Sequence, residues 1–179
     1  AEKMGVGRAV RVVRSALVGV PTVAGWLKPV VMVPVSAMAG LSVAQLDAIL
    51  AHELAHVRRH DYLVNLAQTV AETLLFYHPA TWWMSSRIRT AREHCCDDLA
   101  VAASGDVVVY ADALTRLESM RAARPAVSMA ADGARLIDRV RRLLGVPDER
   151  RLTGWPAVLV GILAMAVAVA AAPALLRAG

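Results

Sequence analysis

The apolar residues of this chain fall into blocks with different rhythms. From Ala16 to Gly40 the only charge is Lys28, yet Pro21, Pro29, Pro34, Gly19 and Gly25 break the run too often for a membrane-spanning helix. Within it, Val30-Val31-Met32-Val33 lies between two prolines, which predicts a short strand at a sheet edge. Gly40-Leu41-Ser42-Val43-Ala44-Gln45 reads as a helix start. Ser42 is the expected N-cap, Gln45 completes a capping box, and Leu41 can staple onto Leu46. That helix is expected to run through Ile49, Leu50 and Leu54 to about His60. Tyr62 to Tyr77 is apolar but interrupted by Asn65, Gln68 and Glu72, as in an amphipathic or core helix. A further helix is predicted to begin at Pro79 and to stop near Gly105.

The last apolar block differs from the others. Pro156 to Leu176 carries no charge. At ~1.5 Å per residue it extends roughly 30 Å, the thickness of a bilayer core. Trp155 sits where an interfacial anchor belongs, and Arg135, Arg139, Arg141, Arg142, Arg150 and Arg151 crowd the N-terminal side against Arg177 beyond it. The positive-inside rule then puts residues 1–155 in the cytoplasm, on the inner face of the cell membrane. Small residues at four-residue spacing, Ala157/Gly161 and Ala164/Ala168/Ala172, favour packing against other transmembrane helices. The expected organisation is a cytoplasmic domain over 1–145, a basic juxtamembrane linker over 146–155 and a transmembrane helix over 156–176.

Composition supports that outline. The chain has 179 residues, 57% of them hydrophobic and 20% charged, with a net charge of +5 carried almost entirely by arginine. This is too apolar for a disordered chain, and two adjacent cysteines, Cys95 and Cys96, do not make a disulfide scaffold. It opens at Ala1 without a charged-then-apolar leader, as expected of a processed form or a fragment. The arginine-rich segment Arg135–Arg142 has no interleaved aromatics, so direct nucleic-acid binding is not expected, and its amphipathic pattern suits an anionic lipid surface. Gly5-Val6-Gly7 lacks the third glycine of a dinucleotide loop and reads as a turn.

All five histidines lie between positions 52 and 94. His52-Glu53-Leu54-Ala55-His56 falls inside the helix that Ser42 caps. Histidines four apart stand one above the other on one helix face, so His52 and His56 can grip one zinc ion, while Glu53 can reach water activated there and take its proton. With this chain's own His and Glu frequencies, the pattern arises by chance about half a percent of the time. A catalytic zinc takes three protein ligands and leaves a position open. His60 is excluded as the third, because it lies on the order of 12 Å along the axis from His52. Arg92-Glu93-His94-Cys95-Cys96-Asp97-Asp98 is the other source. Glu93 and Asp97 share a face there, so Glu93 could ligate while Asp97 fixes a zinc-bound histidine. Cys96 competes as a soft ligand, and spacing leaves that choice open. Tyr110, His78, His94 and Arg92 are the available donors for an oxyanion, without a ranking among them. Val30–Val33 is also a candidate edge for pairing with a substrate strand, second to the more expected role of a core-sheet strand.

The string His52-Glu53-Leu54-Ala55-His56-Val57-Arg58-Arg59-His60-Asp61 resembles the membrane-bound antirepressor metallopeptidases of the BlaR/MecR type. His78-Pro79, Trp82-Trp83, Arg92-Glu93-His94-Cys95-Cys96-Asp97, Gly25-Trp26-Leu27-Lys28-Pro29 and Tyr110-Ala111-Asp112-Ala113-Leu114 fit the same pattern. The resemblance implies an α+β, gluzincin-like fold: a mostly helical zinc peptidase domain with a small sheet on the HExxH helix. It implies His52, His56 and Glu93 as zinc ligands, Glu53 as catalytic base and Asp97 as support. It further implies regulatory proteolysis of a protein substrate, either a cytoplasmic transcriptional repressor or the chain itself. Relatives of this type have several membrane helices and often an extracellular sensor, whereas one membrane helix and no sensor are expected from this sequence. Membrane quality-control proteases of the HtpX type are similar in motif. A membrane signal transducer with a purely structural zinc site is the non-catalytic alternative.

Overall fold

A computed structural model describes residues 5–7, 9–122 and 129–147. The chain divides into two compact units, Ala1–Gly145 and Val146–Gly179. The second is almost wholly outside the described residues, and with it the expected linker beyond Pro147, Trp155 and the expected transmembrane segment 156–176. Among the described residues no helix is long and apolar enough to cross a membrane.

The first unit is α+β, mostly helical with one small sheet. Strands β1 (Arg11–Ser15), β2 (Thr22–Ala24) and β3 (Val30–Pro34) precede helices α1 (Val35–Gly40), α2 (Val43–Arg58), α3 (Asp61–Leu74), α4 (Pro79–Ser104), α5 (Val107–Ala122) and α6 (Met129–Leu143). The strand order is β1-β3-β2, with β1 parallel and β2 antiparallel to β3. The expectation of Val30–Val33 as an edge strand is therefore corrected, because β3 is the central strand. Its prolines stand just before the strand and at its last residue, so the amides between them remain free to pair on both sides. Val31 and Val33 point inward and pack with Ala37, Leu41 and Leu46. The β2–β3 turn needs Gly25 at φ 85°, and a Cβ there would sit 2.9 Å from the Lys28 carbonyl oxygen.

Helix α2 starts as its sequence predicts. The Ser42 hydroxyl accepts from the Gln45 amide at 3.3 Å, and the Gln45 side chain accepts from the Ser42 amide at 2.8 Å. Gln45 also donates 2.5 Å to Asp112, tying this end of α2 to α5. The helix stops at Arg58, slightly before His60, because His60 adopts a left-handed backbone at φ 56°. Helix α4 runs from Pro79 at its N-terminus to Gly105, whose φ of 76° ends it. The core between α2, α4 and α5 is built from small side chains. Ala48, Ala51, Ala55, Ala100 and Ala113 let the three axes approach closely around Ile49, Cys96, Tyr110 and Leu114.

Candidate active site

Alanines on one face of α2 hold it against α4 and α5, and this aims the polar residues of the next face into one cleft of about 680 Å³. His52, Glu53, His56 and Glu93 all line it. His52 Nε2 lies 3.2 Å from His56 Nε2 and 3.5 Å from Glu93 Oε2, and His56 Nε2 lies 3.8 Å from Glu93 Oε1. Donors around a tetrahedral zinc, each about 2.1 Å from it, are separated by roughly 3.4 Å. The three donors therefore already stand at the edges of such a coordination shell, and two imidazoles with one carboxylate suit zinc.

Each histidine is held from behind through its other ring nitrogen. His52 Nδ1 is 2.8 Å from the Tyr110 hydroxyl and 3.3 Å from Asp97 Oδ1. His56 Nδ1 is 2.7 Å from Asp61 Oδ2. Such contacts fix ring orientation and tautomer, leaving Nε2 of each ring facing the other histidine and Glu93. Asp97 is fully buried. It accepts from the Tyr110 hydroxyl at 2.7 Å and from Arg139 through Nη2 at 2.5 Å and Nε at 3.0 Å. Arg139 also reaches Glu93 Oε2 at 3.4 Å.

Charge states follow from this packing. Burial pulls the His52 imidazolium down, but hydrogen bonds to Asp97 and Glu93 outweigh it and bring the group to about 9. Burial and the neighbouring His52 charge lower His56. Burial would raise Glu93, yet its hydrogen bond to His52 and the Arg139 charge hold it at about 2. Glu53 is pushed up to about 7, chiefly by burial, which is the range of a base working near neutral pH.

The competing residues take other places. Cys96 Sγ lies 3.3 Å from His56 Nδ1 and 3.6 Å from Asp61 Oδ2, behind the ring and away from the Nε2 side where Glu93 sits. With His56 and Asp61 it forms a second group whose ligand atoms lie within 4.8 Å of one another, and burial raises its thiol pKa well above the usual range. His60 joins α2 to α3 and does not belong to the His52–His56–Glu93 cluster. Of the four oxyanion candidates, Tyr110 is committed behind His52 and His78 caps α4 through the Ala80 amide, whereas Arg92 lines the cleft.

Three residues of the site escaped the sequence reading of roles. Asp61 lies at the end of the family-like string but has no spacing rule that ties it to His56. Tyr110 was recognisable as a donor, but its partners were not. Arg139 belongs to the helix expected to face lipid. Instead, Arg139 pairs with Asp97, and Arg142 donates to Asp98 at 2.5 Å and to the His94 carbonyl at 2.7 Å. That part of the lipid-facing expectation is corrected: an arginine beside a buried carboxylate gains a charged partner that a solvated surface would not offer.

Known proteins give the chain a family. A segment of 84 residues is 29% identical to "Regulatory protein BlaR1" of Bacillus licheniformis, and it covers 47% of this chain but 14% of that relative. The chain thus matches only a small part of that protein's length. A family model described as BlaR1 peptidase M56 matches residues 1–143, most of the sequence, and the chain belongs to that family, the BlaR/MecR type that its motifs resemble.

Proposed function

We propose that this chain is the zinc endopeptidase unit of a membrane-anchored regulatory protein, with a gluzincin-like site facing the cytoplasm. The observation that carries the reading is the convergence of His52 Nε2, His56 Nε2 and a Glu93 carboxylate within 3.2 to 3.8 Å of one another, on a cleft that also holds Glu53. His52, His56 and Glu93 would hold the ion, with Asp97, Tyr110 and Asp61 fixing the two rings. Zinc in such a site lowers the pKa of water and polarises a carbonyl. Glu53 then serves as the group that takes a proton from water and passes it to the leaving amine. A purely structural site prefers four protein ligands and has no role for a buried carboxyl beside them.

The substrate is proposed to be a protein segment, from a transcriptional repressor or from the chain itself. Strand β2 is an edge strand, and Thr22 and Val23 line the cleft. An extended peptide can add to such an edge and lie across the site. Regulatory proteolysis is supported by the name of the relative, and membrane anchorage by the uncharged run 156–176.

Glu53→Gln tests the mechanism, because it removes the base but no ligand. In the detergent-solubilised 179-residue chain supplied with zinc, self-cleavage and casein hydrolysis should disappear while zinc content stays at the wild-type value. Persistent cleavage in that variant overturns the role of Glu53. A wild type that binds zinc yet cleaves nothing points to the non-catalytic transducer.

A further inference from the structure

Helix α3 carries its polarity in reverse. Leu63, Leu66, Val70 and Leu74 recur at spacings of three and four, so they form one stripe, and they are 51%, 61%, 51% and 68% exposed. Three polar residues reach the neighbouring helix instead, while Thr69 and Thr73 are exposed and donate back to carbonyls of their own helix. Asn65 accepts from Arg92, Gln68 donates to the Ser85 carbonyl at 3.0 Å, and Glu72 accepts from Arg89 at 2.7 Å. The α3–α4 hairpin is therefore polar between its helices and apolar outside. A helix packed on a water-soluble core shows the opposite arrangement.

The tip of the hairpin extends the stripe with aromatics. Phe76 and Tyr77 are both 67% exposed, followed by Trp82 at 49% and Trp83 at 64%. Rings that join an apolar body to a polar edge collect at the boundary between lipid tails and headgroups. The charge fits an anionic headgroup layer. Between Leu63 and Arg92 the only carboxylate is Glu72, already paired with Arg89, against three arginines. One of these, Arg87, lies over the Trp83 ring at 5.5 Å.

We propose that the α3–α4 hairpin is a second membrane contact, built into the catalytic unit and seated in the interfacial layer of an anionic bilayer. At 14 residues, α3 is about 21 Å long, short of the ~30 Å needed to cross, so it lies along the interface. The hairpin also carries site residues: α3 begins with Asp61, and α4 bears Glu93 and Asp97. Seating it in the interface holds the cleft at the membrane surface, where a substrate segment close to the bilayer can reach it. The contact does not depend on the peptidase reading, and its test requires no cleavage.

The chain has four tryptophans. The 179-residue chain carrying Trp26→Phe and Trp155→Phe leaves Trp82 and Trp83 as the reporters. It is reconstituted into vesicles of phosphatidylcholine and phosphatidylglycerol with brominated acyl chains. Brominated chains should quench the two tryptophans roughly twofold, with aqueous iodide having little effect, as for rings at the headgroup boundary. Adding Leu66→Ser, Val70→Ser and Leu74→Ser should reverse that pattern in a chain that still keeps its helix content and zinc. Strong iodide quenching without a bromine effect in the two-substitution protein overturns the proposal. So does insensitivity to both quenchers accompanied by crosslinking of two copies through the hairpin, because the stripe is then an interface between chains.

Discussion

Arg139 on α6 grips Asp97 on α4 with two hydrogen bonds, Nη2 to Oδ1 at 2.5 Å and Nε to Oδ2 at 3.0 Å. Asp97 is completely buried and stands directly behind His52, so this guanidinium neutralises the charge on which the His52 ring is mounted. Arg139→Met leaves that carboxylate buried beside a tyrosine hydroxyl and an imidazole. Breaking one side of a buried pair costs roughly 3–5 kcal/mol. Urea unfolding should show a loss of that order, and Arg139→Lys should recover part of it as a point charge without the fork. Unchanged stability in Arg139→Met means that the pair contributes nothing net.

The proposed third ligand and the supports of the histidines separate by metal content. Glu93→Ala removes a donor and should lose the zinc, whereas Cys96→Ala should keep it, since that sulfur sits on the Nδ1 side of His56. Asp61→Asn keeps all three donors but weakens the hold on His56 Nδ1. Its zinc affinity should fall about 10- to 100-fold, the usual effect of losing such a support. Competition with a chromophoric chelator ranks the three. Zinc retained by Glu93→Ala and lost by Cys96→Ala would reverse the assignment.

How much of this was legible in sequence depends on the range of each interaction. The Ser42–Gln45 capping box, the Pro79 start and the Gly105 stop are local, and they appear where local rules put them. The HExxH pair is likewise contained in one turn of one helix. The place of β3 in the sheet is not local. Flanking prolines mark the ends of a strand, but they say nothing about whether one neighbour pairs with it or two. Arg139 shows the same limit more sharply. It lies 42 residues beyond Asp97, and an amphipathic arginine helix reads alike whether it faces lipid or a buried carboxylate. Asp61 was visible as a residue, but it became a partner of His56 only through the left-handed turn at His60.

Chelation should destabilise the first unit as a whole. Without an ion, His52 carries a proton near neutral pH that Asp97 and Glu93 hold, so zinc must displace it on binding. An ion that binds the folded chain alone adds about 2.7 kcal/mol at a free concentration one hundred times its dissociation constant. Thermal unfolding in chelator should therefore begin several degrees earlier, and added zinc should restore the transition. A melting profile indifferent to both would mean that the three donors hold no ion in the folded protein.

His60 is the only non-glycine among the described residues with a positive φ, and its left-handed turn brings Asp61 back onto His56. Glycine takes that backbone conformation freely, whereas a β-branched residue pays about 1–2 kcal/mol for it. His60→Gly should therefore keep the turn and the zinc affinity, which also tests that the His60 ring is no ligand. His60→Val should unfold at lower urea and bind zinc more weakly, because the turn that delivers Asp61 is strained. Zinc loss in His60→Gly with stability intact would show that the ring itself, and not the turn, serves the site.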